Sequence, residues 1–233
     1  MQWSKWSAAL VAALSLSSLV ARVGKTADSE PRTLRGWYGL KPPAQLEPAK
    51  TALLLIDFQD EFVHGHLPLP NGRVAIAHAA TLAAWARHSG MLVVCVQNVS
   101  NRPGSPLFVP GEGASAFVPE LAPSPRDLVV VKATGGAFSH TSLDGELHAR
   151  GVDTLIVAGF MTHLAVLMTA NDGALLGYHV LVAADATATR ALPGVSGAAV
   201  DEKTLQRAAL ATLADRVADV LPGERIMALP IAR

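Results

Sequence analysis

The stretch DTLIVAGFMTHLAVLMTA (residues 153–170) decides the fold. Its first seven residues contain the apolar run LIVAG (residues 155–159), typical of a strand buried on both faces. The chain then turns sharply into a helix near Thr162. A strand that feeds directly into a helix is half of a βαβ unit. A turn of this kind presents side chains at the start of the helix, and there the chain carries Ala165. The functional interpretation depends on that alanine.

The same alternation extends in both directions from this stretch. The apolar runs TALLLIDF, MLVVCVQN, DLVVVKA and YHVLVAAD predict four further strands, and RIMAL (residues 225–229) predicts a short last one. Helical patterns occupy residues 73–88, residues 141–151 with a threonine cap, and residues 201–216. Strands alternating with helices predict an α/β domain of three αβα layers, with a mainly parallel, doubly wound sheet.

The composition excludes several classes of protein. Half of the 233 residues are apolar and 16% are charged, which suits a sheet covered on both faces. The 19 basic and 19 acidic residues balance, so we expect no nucleic-acid partner. Cys95 is the single cysteine, which excludes an intramolecular disulfide and a cysteine-rich zinc site.

The N-terminus differs in character from the rest of the chain. A weakly charged start, a short apolar run and a polar stretch predict a signal peptide or N-terminal anchor over residues 1–26. The run is short for a membrane span, so we expect membrane attachment only if the segment stays uncleaved. Residues 27–50 are predicted to be a linker or arm, and residues 51–233 the domain. We expect a secreted or periplasmic protein, or a cytoplasmic one if the segment is not a signal.

Three special positions follow strands at their carboxyl ends, where open α/β sheets bind ligands. Asp57 follows the first strand, Lys132 ends the third, and the GFMTH turn follows the fourth. If they meet, the acid could move a proton, the lysine could hold the acid ionised, and backbone N–H groups could bind an oxyanion. A crevice formed by these three positions is therefore a candidate catalytic site.

Three blocks carry a resemblance to a known family. LLLIDFQDEF, VVVKATGGAFSHTSL and VAGFMTHLAVLMTANDGALLGYHVLVAADA resemble the signature blocks of the isochorismatase-like hydrolases, which include nicotinamidases and N-carbamoylsarcosine amidohydrolases. The resemblance covers roughly residues 51–220, with the blocks in order. It implies a small-molecule substrate, no cofactor and a homo-oligomer.

The resemblance also implies roles for individual residues. In the cysteine hydrolase branch an aspartate deprotonates a thiol beside a lysine, which makes Asp57 the base, Lys132 its partner and position 165 the nucleophile, where this chain has alanine. The oxyanion site would include a cis peptide bond between Phe160 and Met161 and the N–H groups of Met161 and Ala165. The pocket residues implied are Gln59, Phe138, Thr162 and His163.

Three interpretations of Ala165 remain open. The chain is a hydrolase of an amide or vinyl ether that needs no covalent nucleophile, an inactive homologue (natural or a Cys→Ala variant) that binds a ligand or serves as a scaffold, or an enzyme with a relocated nucleophile. Cys95 is expected to be a buried hydrophobe. His64 and His66 have a spacing that could hold a metal beside Asp60, but we expect structural histidines and no metal.

Overall fold

The computed structural model describes residues 31–232, and the described residues from 32 onward form one compact unit. The predicted signal segment, residues 1–26, lies outside the described residues. The strands are β1 (Thr51–Ile56), β2 (Leu92–Asn98), β3 (Leu128–Lys132), β4 (Thr154–Phe160), β5 (His179–Ala188) and β6 (Asp219–Leu221). The α-helices are α1 (Leu34–Trp37), α2 (Gly72–His88), α3 (Leu143–His148), α4 (Leu167–Leu175), α5 (Glu202–Thr212) and α6 (Gly223–Met227).

The six strands form one parallel sheet in the order β3-β2-β1-β4-β5-β6. All six residues of β1 are buried, because this central strand has a neighbour on each side and helices over both faces. The chain order reverses between β1 and β4, which opens a crevice at their carboxyl ends. The predicted three-layer α/β fold is confirmed.

Two apolar layers cover the sheet. On one face Leu53 and Leu55 of β1 pack with Ile76 of α2 and Ile226 of α6. On the other face β1 packs with side chains of α3, α4 and the turn after α5. Successive residues of β1 therefore serve opposite layers, as the period-two geometry of a strand requires.

Two boundaries differ from the sequence predictions. The last strand is β6 rather than RIMAL, and residues 223–227 are helical. Pro222 follows β6 and lacks an N–H to continue the ladder, and Ile226 then buries one face of α6. The predicted threonine cap is also shifted: Ser142 occupies the N-cap position of α3, whereas the Thr141 hydroxyl donates to the Ala137 carbonyl at 2.6 Å.

The arm that precedes β1 packs on the domain. Arg35 forms a 2.6 Å ion pair with Asp219 of β6, and Leu46 is buried and bridges to Ile231 near the other terminus. The arm from residue 32 therefore belongs to the same compact unit as the sheet. Over residues 31–232, no helix has the length and apolar character needed to cross a membrane.

Gly159, near the end of β4, tests how tightly β1 and β4 approach each other. It has a φ of +143°, and a Cβ there would lie 2.2 Å from the Ile56 carbonyl oxygen. We expect Gly159→Ala to lower the free energy of unfolding by more than about 4 kcal/mol, measured by urea titration.

Gly90→Ala is the matched control for that variant. Gly90 also has a positive φ, +80°, but a Cβ there would meet nothing within 4 Å. It should cost only about 1–2 kcal/mol of backbone strain. Equal losses in the two variants would contradict the close approach of the two strands.

Candidate active site

An ion pair between Asp57 and Lys132 lies at the carboxyl edge of the sheet. Asp57 is the first residue after β1, and Lys132 is the last residue of β3. Lys132 Nζ donates to Asp57 Oδ2 at 2.6 Å and to the Thr134 carbonyl at 3.0 Å. Both ionic residues are 4% exposed. The topology thus brings together two groups that are 75 residues apart in the sequence.

Burial dominates the electrostatics of this pair. Loss of solvation raises the pKa of Asp57 to about 6, although the charge and the hydrogen bond of Lys132 act in the opposite direction. The second carboxylate oxygen, Oδ1, is buried and has no hydrogen-bond partner within residues 31–232. Asp57 can therefore hold or release a proton close to neutral pH.

The GFMTH turn approaches the pair from β4. The Phe160–Met161 peptide bond is cis, at the position that the resemblance implies. Residues Thr162–Val166 then form a π-helical turn that leads into α4. Ala165, in this turn, is 4% exposed and faces the same cavity as the ion pair. The three predicted elements of the crevice therefore converge.

The cavity itself is small and largely apolar, with a volume of about 230 Å³. Its wall is formed by Asp57, Phe62, Asn98, Phe108, Lys132, Ala133, Thr134, Gly135, Phe160, Met161, Leu164 and Ala165. Among the described residues no arginine lines it, and the ion pair is its single charged feature. A larger concavity of about 440 Å³ lies at the opposite, amino-terminal edge of the sheet, away from this chemistry.

Gln59 does not line the cavity, in contrast to the expectation. Its side chain is fully buried, with Nε2 donating to the Asn98 and Ser115 carbonyls and Oε1 accepting from the Asn98 N–H. These three bonds occupy the amide. They connect the end of β2, at Asn98, to the following loop, at Ser115. Gln59 therefore stabilises the backbone around the site.

The other three predicted pocket residues also lie outside the cavity wall. The Phe138 ring stacks on Tyr178 under α3 and α4, with ring centroids 5.9 Å apart. Thr162 is fully buried, and the His163 ring is hydrogen-bonded to the Thr189 hydroxyl. Burial and then the charge of Arg190 lower the pKa of His163. Neither residue of this turn therefore contributes to the wall of the cavity beside the ion pair.

Several wall residues were missed by the sequence analysis. Asn98 is the last residue of β2. It therefore lies at the carboxyl end of a strand, the same signal that indicated Asp57 and Lys132. Phe108 comes from the long loop between β2 and β3, where no periodicity indicates which side chains point inward.

Cys95 is not a substitute nucleophile. It is fully buried within β2, and burial raises the pKa of its thiol to about 12, with the charge of Asp127 adding to the effect. Its prediction as a buried hydrophobe is confirmed.

The histidines near the start of α2 form pairs with acidic neighbours. His64 Nδ1 is 2.6 Å from Asp60 Oδ1, and His66 Nδ1 is 3.2 Å from Glu61 Oε1. In the part of the chain that the structure describes, no three His, Cys, Asp or Glu side chains group as metal ligands would.

The chain is similar in sequence and structure to several known proteins. It is 33% identical to the secreted isochorismatase effector Isc1 of Verticillium dahliae, over 75% of this chain and 88% of that protein. It is 32% identical to the ureidoacrylate amidohydrolase RutB of Methylobacterium radiotolerans, over 81% of this chain and 83% of that protein. A solved isochorismatase from Pseudomonas putida superposes with a TM-score of 0.77 at 31% identity, over 84% of this chain and 98% of that one.

The family assignment rests on most of the chain. Residues 51–225, from the first residue of β1 into α6, match the Isochorismatase domain. Together with the parallel sheet and the site at its carboxyl edge, this match shows that the chain belongs to the isochorismatase family of hydrolases.

Proposed function

We propose that the chain hydrolyses a small enol ether, with Asp57 as general acid and water as nucleophile. The observation that carries this proposal is the buried Asp57–Lys132 pair beside Ala165, in which burial raises the pKa of Asp57 to about 6. The resemblance places a nucleophilic cysteine at position 165 in the amidases. With alanine there, the reaction best suited to the remaining groups is one that starts with proton transfer rather than covalent attack.

The proposed reaction needs only these side chains and water. Protonated Asp57 gives its proton to the terminal carbon of the C=C–O group, which leaves an oxocarbenium ion and a carboxylate. Lys132 stabilises that carboxylate because its ammonium is 2.6 Å away. Water adds to the cationic carbon and returns a proton to Asp57, and the hemiketal collapses to an alcohol and a ketone.

The cavity wall limits the substrate class. A volume of about 230 Å³ and a mostly apolar lining favour a compact substrate with at most one carboxylate, since the single cation, Lys132, is already paired. Neither Arg102, in the loop after β2, nor Arg190, just after β5, lies in the wall to contact a second carboxylate. The name isochorismatase, borne by a relative and by a solved structure, supports the enol-ether bond as the target.

A second candidate function is that of a ligand-binding protein without catalysis. Ala165 favours it, because the cavity is intact while the buried Cys95 cannot replace a thiol at the site. Turnover of any enol ether by the unaltered chain would exclude this alternative.

The pH dependence of turnover tests the role of Asp57. We expect kcat/KM to fall as the pH rises through about 6, because only the protonated carboxyl donates. Lys132→Met should move this fall in kcat/KM to higher pH, since Lys132 lowers the pKa of Asp57. Asp57→Asn should reduce kcat/KM by about 10²–10⁴.

Asp60→Asn is the control for these kinetic variants, because Asp60 lies three residues further along and its carboxylate pairs with His64 outside the cavity. It should leave the pH profile unchanged. Activity that rises with pH through 6, or that survives in Asp57→Asn, would rule out the general-acid role.

Ala165→Cys tests the geometry of the turn. A thiol at this position, beside the ion pair, should form a covalent acyl-enzyme with small amides and ureides, detected by mass spectrometry. The amidase rate should exceed that of the unaltered chain by at least about 10². The Asp57→Asn, Ala165→Cys double variant is the control and should lose this gain. An Ala165→Cys variant that folds normally but stays unreactive would show that position 165 does not face the substrate.

Export is the remaining part of the proposal. The apolar run within residues 1–26 supports it, and one relative is named a secreted effector. Expression of the full chain in its host should yield the protein outside the cytoplasm, with a new N-terminus found by sequencing between residues 20 and 30. An intact Met1 on cytoplasmic protein would contradict export.

A further inference from the structure

We infer that Phe108 is a lid residue that selects substrates by size, and that buried Glu61 is the positioning residue that holds the lid closed. The lid loop is defined as residues 100–112, between β2 and β3. The identity of the substrates rests on the proposed function, whereas the closure of the cavity by Phe108 rests on the geometry alone.

Phe108 belongs to the lid loop and also lines the catalytic cavity. Its ring forms part of the wall of the catalytic cavity, and its neighbour Val109 lines an outer concavity of about 600 Å³ on the lid loop. Phe108 has a φ of +52°, a conformation that bulky residues avoid unless their surroundings impose it. The surroundings do so here, because the Phe108 carbonyl accepts from the Ser100 N–H at 2.8 Å and its ring lies 5.5 Å from the Phe62 ring.

Glu61 supplies the third restraint on the lid loop. Its side chain is only 2% exposed, and within residues 31–232 it forms no ion pair with a lysine or arginine. Oε2 accepts from the Phe108 N–H at 3.4 Å, and Oε1 accepts from the His66 N–H at 2.6 Å with the His66 ring nitrogen at 3.2 Å. Burying a carboxylate costs free energy unless hydrogen-bond donors replace the lost water. The Phe108 N–H is one of these donors, so Glu61 favours the position of the lid loop seen here.

The position of Glu61 couples the lid to the catalytic pair. Glu61 belongs to the short turn Asp60–Phe62, which begins three residues after Asp57. Phe62 of the same turn lies in the cavity wall against Phe108. Displacing the lid loop would therefore open the cavity toward the outer concavity and admit both larger ligands and water to the site.

Three variants distinguish the effect of the Phe108 ring from the effect of its hydrogen-bonded partner Glu61. Phe108→Gly removes the ring and accepts the positive φ, Phe108→Leu keeps apolar bulk, and Glu61→Gln replaces one acceptor with a donor that faces N–H groups. Glu112→Gln is the matched control, because it makes the same charge change in the same loop at an exposed side chain.

The first measurement is hydrogen exchange of the lid loop, which does not depend on activity. We expect exchange in residues 100–112 to be about tenfold faster in Glu61→Gln than in Glu112→Gln, with the peptides of β1 and β4 unchanged. Equal exchange in the two variants would overturn the positioning role of Glu61.

The second measurement is size selection, with benzyl alcohol and 2-naphthylmethanol as neutral probes in calorimetric titrations. Phe108→Gly should bind the larger probe about tenfold more tightly than the unaltered chain, while Phe108→Leu should keep the original preference. For any substrate that is turned over, Glu61→Gln should raise KM for compact substrates about tenfold and change kcat less than threefold. An unchanged probe preference in Phe108→Gly would overturn the lid. If both measurements succeed but no enol ether is hydrolysed, only the proposed function fails.

Discussion

The buried ion pair between Asp57 and Lys132 is the interaction on which the site depends. Removing two charges from water is costly, and a short, well-aligned contact between them offsets part of that cost. Here the sheet order supplies the geometry, because β1 and β3 flank β2 and end at the same edge. One oxygen of Asp57 remains without a partner among the described residues, which leaves a position for a substrate or water.

The burial of this pair affects the pKa of Asp57 and so the proton transfer that Asp57 can perform. Three phenylalanines and Ala165 line the cavity beside the carboxyl, whose burial is the cause of its raised pKa. Ala165 stands where the resemblance implies a thiol. The proposed reaction starts with proton transfer from Asp57, which needs no thiol at this position.

The sequence predicted those parts of the site that are set by strand ends. Asp57 and Lys132 follow the rule that ligands bind at the carboxyl edge of a parallel sheet, and the cis bond after Phe160 followed from the family resemblance. The wall was less predictable because it depends on tertiary packing. Phe108 comes from a loop without periodicity, and Gln59 proved to hold backbone groups instead of facing the cavity.

Titration of the Asp57 carboxyl in the unaltered protein tests whether the buried pair raises its pKa. Carbon-13 NMR of aspartate-labelled protein, with the resonance assigned by its absence in Asp57→Asn, reports this group alone. We expect an apparent pKa of about 6 for Asp57. A carboxyl that titrates near pH 4, as an exposed aspartate does, would contradict the buried pair and with it the general acid on which the proposed reaction relies.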